Sequence, residues 1–183
     1  MRFLLSKGTD VEAEARESDT VYRPLTMVLG WPQPSQAIQL LLDHGADIEA
    51  PCGQGITVLH EACIMGTGEV VLLLLRHGAK ISSKDALGWT ALHWAACKDH
   101  ADTVQIILER SAEVDVKSDL GSTPLHLAIQ AGCDANVSKL LSWGADIEAR
   151  NNEGLTPLHV AIKEEHPRIF SLLLNAGAET PRV

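Results

Sequence analysis

A chain of 183 residues with 45% hydrophobic content has enough apolar mass for a packed core, which excludes a disordered polymer and allows one or two domains. A net charge of -9 disfavours DNA, RNA and other polyanions as partners. The four cysteines, Cys52, Cys63, Cys97 and Cys133, form no CxxC pair, and the longest apolar run, Val70 to Leu75, falls far short of the roughly 20 residues of a membrane span.

The first element lies in Met1–Ala13, where Phe3-Leu-Leu-Ser-Lys-Gly8 matches Leu40-Leu-Leu-Asp-His-Gly45. It is the second helix of a helix pair without the first, so residues 1–16 read as half a unit. Met1 to Lys7 is too short and mixed for a signal peptide. Two readings of the half unit stay open: a cap, or a piece of a longer array, the second being favoured. An open N-terminal end would expose apolar surface, so a monomer or a weak dimer through that end is expected.

Residues 17–50 form an irregular unit. Arg23-Pro-Leu-Thr26 opens its first helix. Trp31-Pro-Gln-Pro-Ser35 then replaces a short turn: Pro32 and Pro34 are predicted to end the first helix and Ser35 to cap the second. Upstream, Glu14 to Tyr22 exceeds its counterparts by about three residues.

Four regular units follow, at 51–84, 85–117, 118–150 and 151–183. Each begins with the same hexapeptide pattern: Gly55-Ile-Thr-Val-Leu-His60, Gly88-Trp-Thr-Ala-Leu-His93, Gly121-Ser-Thr-Pro-Leu-His126 and Gly154-Leu-Thr-Pro-Leu-His159. The glycines stand at 55, 88, 121 and 154, a period of 33 residues. In each unit Thr is placed to cap a short first helix, and Pro124 and Pro157 suit its first position. A leucine-rich second helix follows and stops at Gly45, Gly78, Gly144 or Gly177, residues free to take the left-handed stop. Ser111 stands once in that place, where it should cost roughly 1 kcal/mol. Stretches such as Lys84-Asp-Ala-Leu-Gly88 and Ser118-Asp-Leu-Gly121 read as tight turns between pairs.

These motifs resemble the ankyrin repeat family. Its Thr-Pro-Leu-His-x-Ala core is complete at Thr123–Ala128 and Thr156–Ala161, and lightly altered at Thr57–Ala62 and Thr90–Ala95. The resemblance covers nearly the whole chain. It implies an all-α solenoid of stacked helix pairs with hairpin tips, in one continuous domain over 1–183. It also implies that His60, His93, His126 and His159 brace their turns. A metal reading of that row fails on distance, since stacked helices lie about 8–10 Å apart while a zinc–nitrogen bond is about 2.0–2.1 Å. Asp47, Glu49, Glu113, Asp115, Asp146 and Glu148 recur with the unit and read as a solvated face rather than acid–base pairs. No phosphate loop, nucleophile elbow or HExxH is present. No cofactor, metal or catalytic residue is expected.

The resemblance further implies binding across a concave face made of hairpin tips and first-helix flanks. On this chain Tyr22, Ile56, Trp89 and Leu155 occupy one tip position, with Leu87 and Leu120 two residues earlier. Trp31, Ile64, Met65 and Lys98 stand at first-helix ends, and Lys84, Lys117 and Arg150 recur beside the tips as a basic stripe. A non-catalytic protein-interaction module of the cytoplasm or nucleus is the leading expectation, with a protein partner and neither nucleic acid nor membrane. The alternative is a small-molecule or catalytic pocket around Trp31, Trp89 and Trp94 with His60 or His93 as acid or base.

Overall fold

The computed structural model describes residues 10–17 and 20–180, with the side chains of 16–21 left out of account. The half unit at Phe3–Gly8, and with it the expected open N-terminal end, lies outside the described residues.

A two-stranded antiparallel hairpin comes first: β1 (Ala15–Glu17) pairs with β2 (Thr20–Tyr22), Ala15 opposite Tyr22. Ten helices follow. They are α1 (Pro24–Met27), α2 (Pro34–Asp43), α3 (Val58–Ile64), α4 (Gly68–Arg76), α5 (Ala91–Ala96), α6 (Ala101–Glu109), α7 (Pro124–Gln130), α8 (Asp134–Ser142), α9 (Pro157–Lys163) and α10 (Pro167–Asn175). Odd-numbered helices are the short inner ones of each pair, and even-numbered helices pack behind them. Every inner helix meets the next inner helix, and every outer helix the next outer helix. The result is the expected all-α stack.

The core runs through the stack without a break. Leu59, Leu92, Leu125 and Leu158 are fully buried from the inner helices, and Leu41, Leu74, Ile107, Leu140 and Leu173 from the outer ones. Ala62, Ala95, Ala128 and Ala161 are also sealed. A larger side chain there would push neighbouring helices apart.

The irregular unit departs from its expected caps. Inner helix α1 lasts four residues and continues as a 3-10 turn over Val28–Gly30. Pro34, not Ser35, opens α2, because proline's fixed φ suits the first helical position and its missing N–H is not needed there. Ser35 lies inside the first turn, and its hydroxyl donates to Glu69 Oε1 at 3.2 Å. Arg23 ties this unit together: its guanidinium reaches Glu12 at 2.9 Å and Glu14 at 2.8 Å, and its Nε donates to the Pro51 carbonyl.

Polar ladders join successive units. At the tips, the Ala86 amide donates to the Gln54 carbonyl, Asp119 to Leu87, and Asn152 to Leu120, at 2.9–3.1 Å. Gly121 makes the last approach possible: it has φ +72°, and a Cβ there would lie 2.8 Å from the Asn152 nitrogen. A carboxylate ladder joins the loops that follow the outer helices. Glu12 accepts the Asp47 amide, Glu49 that of Lys80, Asp115 that of Asp146 and Glu148 that of Glu179, at 2.7–2.9 Å. Several of the recurring acids are therefore staples rather than a merely solvated face. Ser82 occupies the corresponding place in one unit, and no such bond is found there among the described residues.

The stops after the outer helices agree with their sequence. Gly45, Gly78, Gly144 and Gly177 have φ between 81° and 97°, and Ser111 is held at φ 64°. Ser111→Gly should raise stability by roughly 0.5–1 kcal/mol, read as a Tm increase of about 2–4 °C at most. An unchanged or lower Tm would show that Ser111 carries no strain. Ser82→Asp should add roughly 0.5–1 kcal/mol in urea unfolding by completing the ladder as Asp115 does; a destabilised variant would mean that the ladder bonds contribute nothing.

Candidate partner-binding face

Three of the four row histidines are enclosed, and His159 is half-buried, with Nδ1 on the Thr156 amide at 3.4 Å and hydroxyl at 2.7 Å. His60, His93 and His126 are at most 2% exposed. In each, Nδ1 accepts the backbone N–H of the threonine three residues earlier, Thr57, Thr90 or Thr123, at 3.1–3.2 Å. The threonine hydroxyl converges on the same nitrogen at 2.8–3.1 Å. Nδ1 being the acceptor, Nε2 carries the proton and donates: to the Ser83 carbonyl from His60, to Ser122 from His93 and to Leu155 from His126, at 2.9–3.1 Å. Each ring thus ties its own helix start to a carbonyl further along the chain. Burial pushes all three below the ordinary value of 6.5, His93 to about 4. Both nitrogens of His60 and His93 are occupied, so neither ring is free to act as the acid or base of a pocket.

The regular unit at 85–117 carries the aromatic centre. Trp89 and Trp94 meet at 4.6 Å between ring centroids, tilted by 56°, and Trp89 stacks over His93 at 6.2 Å. Both indoles are half-buried. Beneath them sits Asp85, only 9% exposed. Its Oδ1 accepts the amides of Leu87 and Trp89 at 2.8 and 2.9 Å, and its Oδ2 accepts Trp94 Nε1–H at 2.9 Å. Sequence reasoning missed Asp85 among the many tip-flanking polar residues. The available signal was its spacing of nine residues from an indole that only this unit has.

The tip leucines stand out. Leu120 is 73% exposed and Leu87 is 49% exposed, on tips joined by the Asp119–Leu87 bond. Met65 at 41% and Tyr22 at 38% are also open, and Lys98 is exposed. Ile56, Ile64 and Leu155 are half-buried. Lys84, Lys117 and Arg150 are exposed but not idle: Lys84 Nζ donates to the Lys117 carbonyl at 2.8 Å, Lys117 Nζ to the Arg150 carbonyl at 3.0 Å, and Arg150 to the Gly154 carbonyl at 2.8 Å. The stripe is laid along the stack by its own ammonium contacts.

Trp31 is set apart from this group. It is 48% exposed and lines an open hollow of about 830 Å³ with Pro32, Gln36, Leu40 and Leu73, on the side of outer helices α2 and α4. The pocket expected from Trp31, Trp89 and Trp94 together is therefore not assembled. The physical reason is the long Trp31–Pro34 turn, whose prolines carry Trp31 to the start of α2. Met27, Trp143 and Ile162 are further exposed apolar residues that the tip pattern did not single out.

All four thiols are unpaired, and burial raises those of Cys63, Cys97 and Cys133, Cys97 to about 11, which keeps them protonated. Among the described residues no group of three His, Cys, Asp or Glu side chains could hold a metal ion, and no helix is long and apolar enough to cross a membrane.

A family model of ankyrin repeats (three copies) matches residues 1–85, 25–118, 81–151 and 112–182. The chain belongs to the ankyrin repeat family. No curated protein matches it. Ankyrin repeats are in general protein–protein interaction modules, typically without catalytic activity.

Acid should loosen the stack through its histidines. Above pH 6.5 they are neutral folded or unfolded. Below it the unfolded chain takes up protons that the folded chain refuses, so stability falls as the pH drops from 6.5 towards about 4 for His93. The slope is at most about 1.4 kcal/mol per pH unit for each ring. Urea midpoints at pH 7.5 and pH 5 test this, and His93→Gln should flatten the dependence. An equally steep loss in that variant would assign the acid sensitivity to other groups.

Proposed function

We propose that this chain is a non-catalytic binding module that grips an acidic, apolar segment of a protein partner along its tip row and inner-helix flank. The supporting observation is the adjacency of Leu87 and Leu120, two exposed leucines on hydrogen-bonded tips, beside Lys84 and Lys117 on a molecule of net charge -9. The leucines supply apolar area to remove from water. Trp89 and Met65 extend that area, with Ile56, Ile64, Tyr22 and Leu155 at its margins. Lys84, Lys117, Arg150 and Lys98 favour carboxylates and orient the segment. The Lys84 and Lys117 ammonium groups each donate one hydrogen to a carbonyl and keep two for a partner. We assign the chain to the cytoplasm or nucleus, a reading that the low cysteine count, four in 183 residues without a CxxC pair, supports.

Two fluorescent pools of random peptides test the reading, one rich in Leu, Phe, Asp and Glu, the other with Lys and Arg in place of the acids. The wild-type chain should retain the acidic pool, less so at high salt. Leu87→Ser with Leu120→Ser should weaken retention roughly tenfold or more while leaving Tm nearly unchanged, since both side chains are exposed. Equal retention by that variant, or preference for the basic pool, would refute the proposed surface.

A further inference from the structure

The first residue of each tip turn lies at 52, 85, 118 and 151, where the chain has Cys52, Asp85, Ser118 and Asn151. Nine residues further on stand Glu61, Trp94, Leu127 and Val160. A carboxylate facing an indole therefore occurs in one of these four units. Asn151 shows what the tip turn itself requires: its Oδ1 accepts the amides of Glu153 and Leu155, both at 3.0 Å. Asp85 Oδ1 does the same for Leu87 and Trp89. Its second oxygen is surplus to the turn and is spent on Trp94 Nε1–H at 2.9 Å. That bond fixes the direction of the Trp94 ring, against which Trp89 leans at 4.6 Å. Trp89 is held from behind by His93, itself locked between Thr90 and Ser122. The aromatic pair is thus set in one pose before anything binds, half-open to solvent, next to Leu87.

We infer that Asp85 is a positioning residue: through Trp94 it holds Trp89 as a preformed aromatic seat for an apolar side chain of the acidic partner segment. The inference rests on the partner-binding reading above and adds to it the determinant of the seat. Rigid indoles offer contact area at little conformational cost, and pre-organisation lowers what binding must order. A charged acceptor also makes the indole bond stronger than a neutral one would.

The repeat itself supplies the diagnostic substitution. Asp85→Asn keeps the turn, as Asn151 does, but turns an NH2 donor towards the indole N–H. Trp94→Phe removes the same bond from the other side and keeps an aromatic ring. The probes are the acidic Leu- and Phe-bearing peptide pool, near-ultraviolet circular dichroism of the coupled indoles, and acrylamide quenching of their fluorescence. Asp85→Asn should weaken pool binding about five- to tenfold, chiefly through faster dissociation, flatten the indole signal and raise quenching, with the Tm of the whole chain little changed. Trp94→Phe should weaken binding comparably, and Asp85→Asn added to it should have little further effect, because the bond is already gone. Wild-type affinity in either single variant, with Leu87→Ser/Leu120→Ser still defective, would overturn the role of Asp85 and leave the partner surface standing. Were Asp85→Asn to unfold the chain, Trp94→Phe alone decides by the same affinity criterion. Failure of the wild-type chain to retain the acidic pool would instead strike the partner reading itself.

Discussion

No helix pair in this chain can stand without its neighbour. The inner helices from α3 onward are six or seven residues long and the outer ones nine, below the roughly 12–15 residues at which an isolated helix becomes marginal in water. Each pair therefore takes its order from side-by-side burial, with alanines at 62, 95, 128 and 161 letting the backbones close in. Stability is then approximately a sum of unit and neighbour terms. On that account, local defects such as the strained stop at Ser111 or the missing staple at Ser82 subtract from the sum while the helix pairs stay in contact.

Stacking also decides which polar groups are free to meet a partner. His60, His93 and His126 span from their own helix start to a carbonyl further along the chain, and the loop carboxylates and stripe lysines likewise join successive units. Residue types that elsewhere signal catalysis are here committed to the framework. A buried neutral imidazole with both nitrogens engaged has no lone pair or proton to offer a substrate. The side chains of Leu87 and Leu120 make no such commitment, because their tips are joined to the next through backbone groups and the Asn152 side chain.

The period was legible because it is imposed by burial. Thr123, Pro124, Leu125 and Ala128 each have one physical task, and each recurs for it. Gly45 and its counterparts follow from the same geometry. The cross-unit partners were not legible, since a 33-residue period places side chains in rows without stating which atom of one row faces which atom of the next. That is why Glu49 and Asp115 passed for solvated acids, and why Ser35, by its chemistry a cap, stands behind Pro34. Trp31 was misplaced for a related reason: the extra residue in its proline turn shifts it to the outer-helix side, and periodic mapping fails wherever the period is broken. Asp85 escaped notice because its role depends on an indole nine residues away that the other units lack.

The aromatic pair stands at two positions that differ from unit to unit: Ile56, Ser122 and Leu155 take the place of Trp89, and Glu61, Leu127 and Val160 that of Trp94. Position 94 lies on the inner flank, where Leu127 and Val160 are buried and Trp94 is half-buried against the core, so the indole both packs on the stack and reaches its surface. An indole free to rotate would lose rotamer entropy on meeting a ligand, roughly 0.5–1.5 kcal/mol per immobilised side chain. Asp85 removes that freedom in the folded chain, where the tip turn holds its carboxylate under the ring. The interaction that closes the turn and the interaction that aims the indole share one side chain, so the seat is ordered by the same contacts that order the repeat.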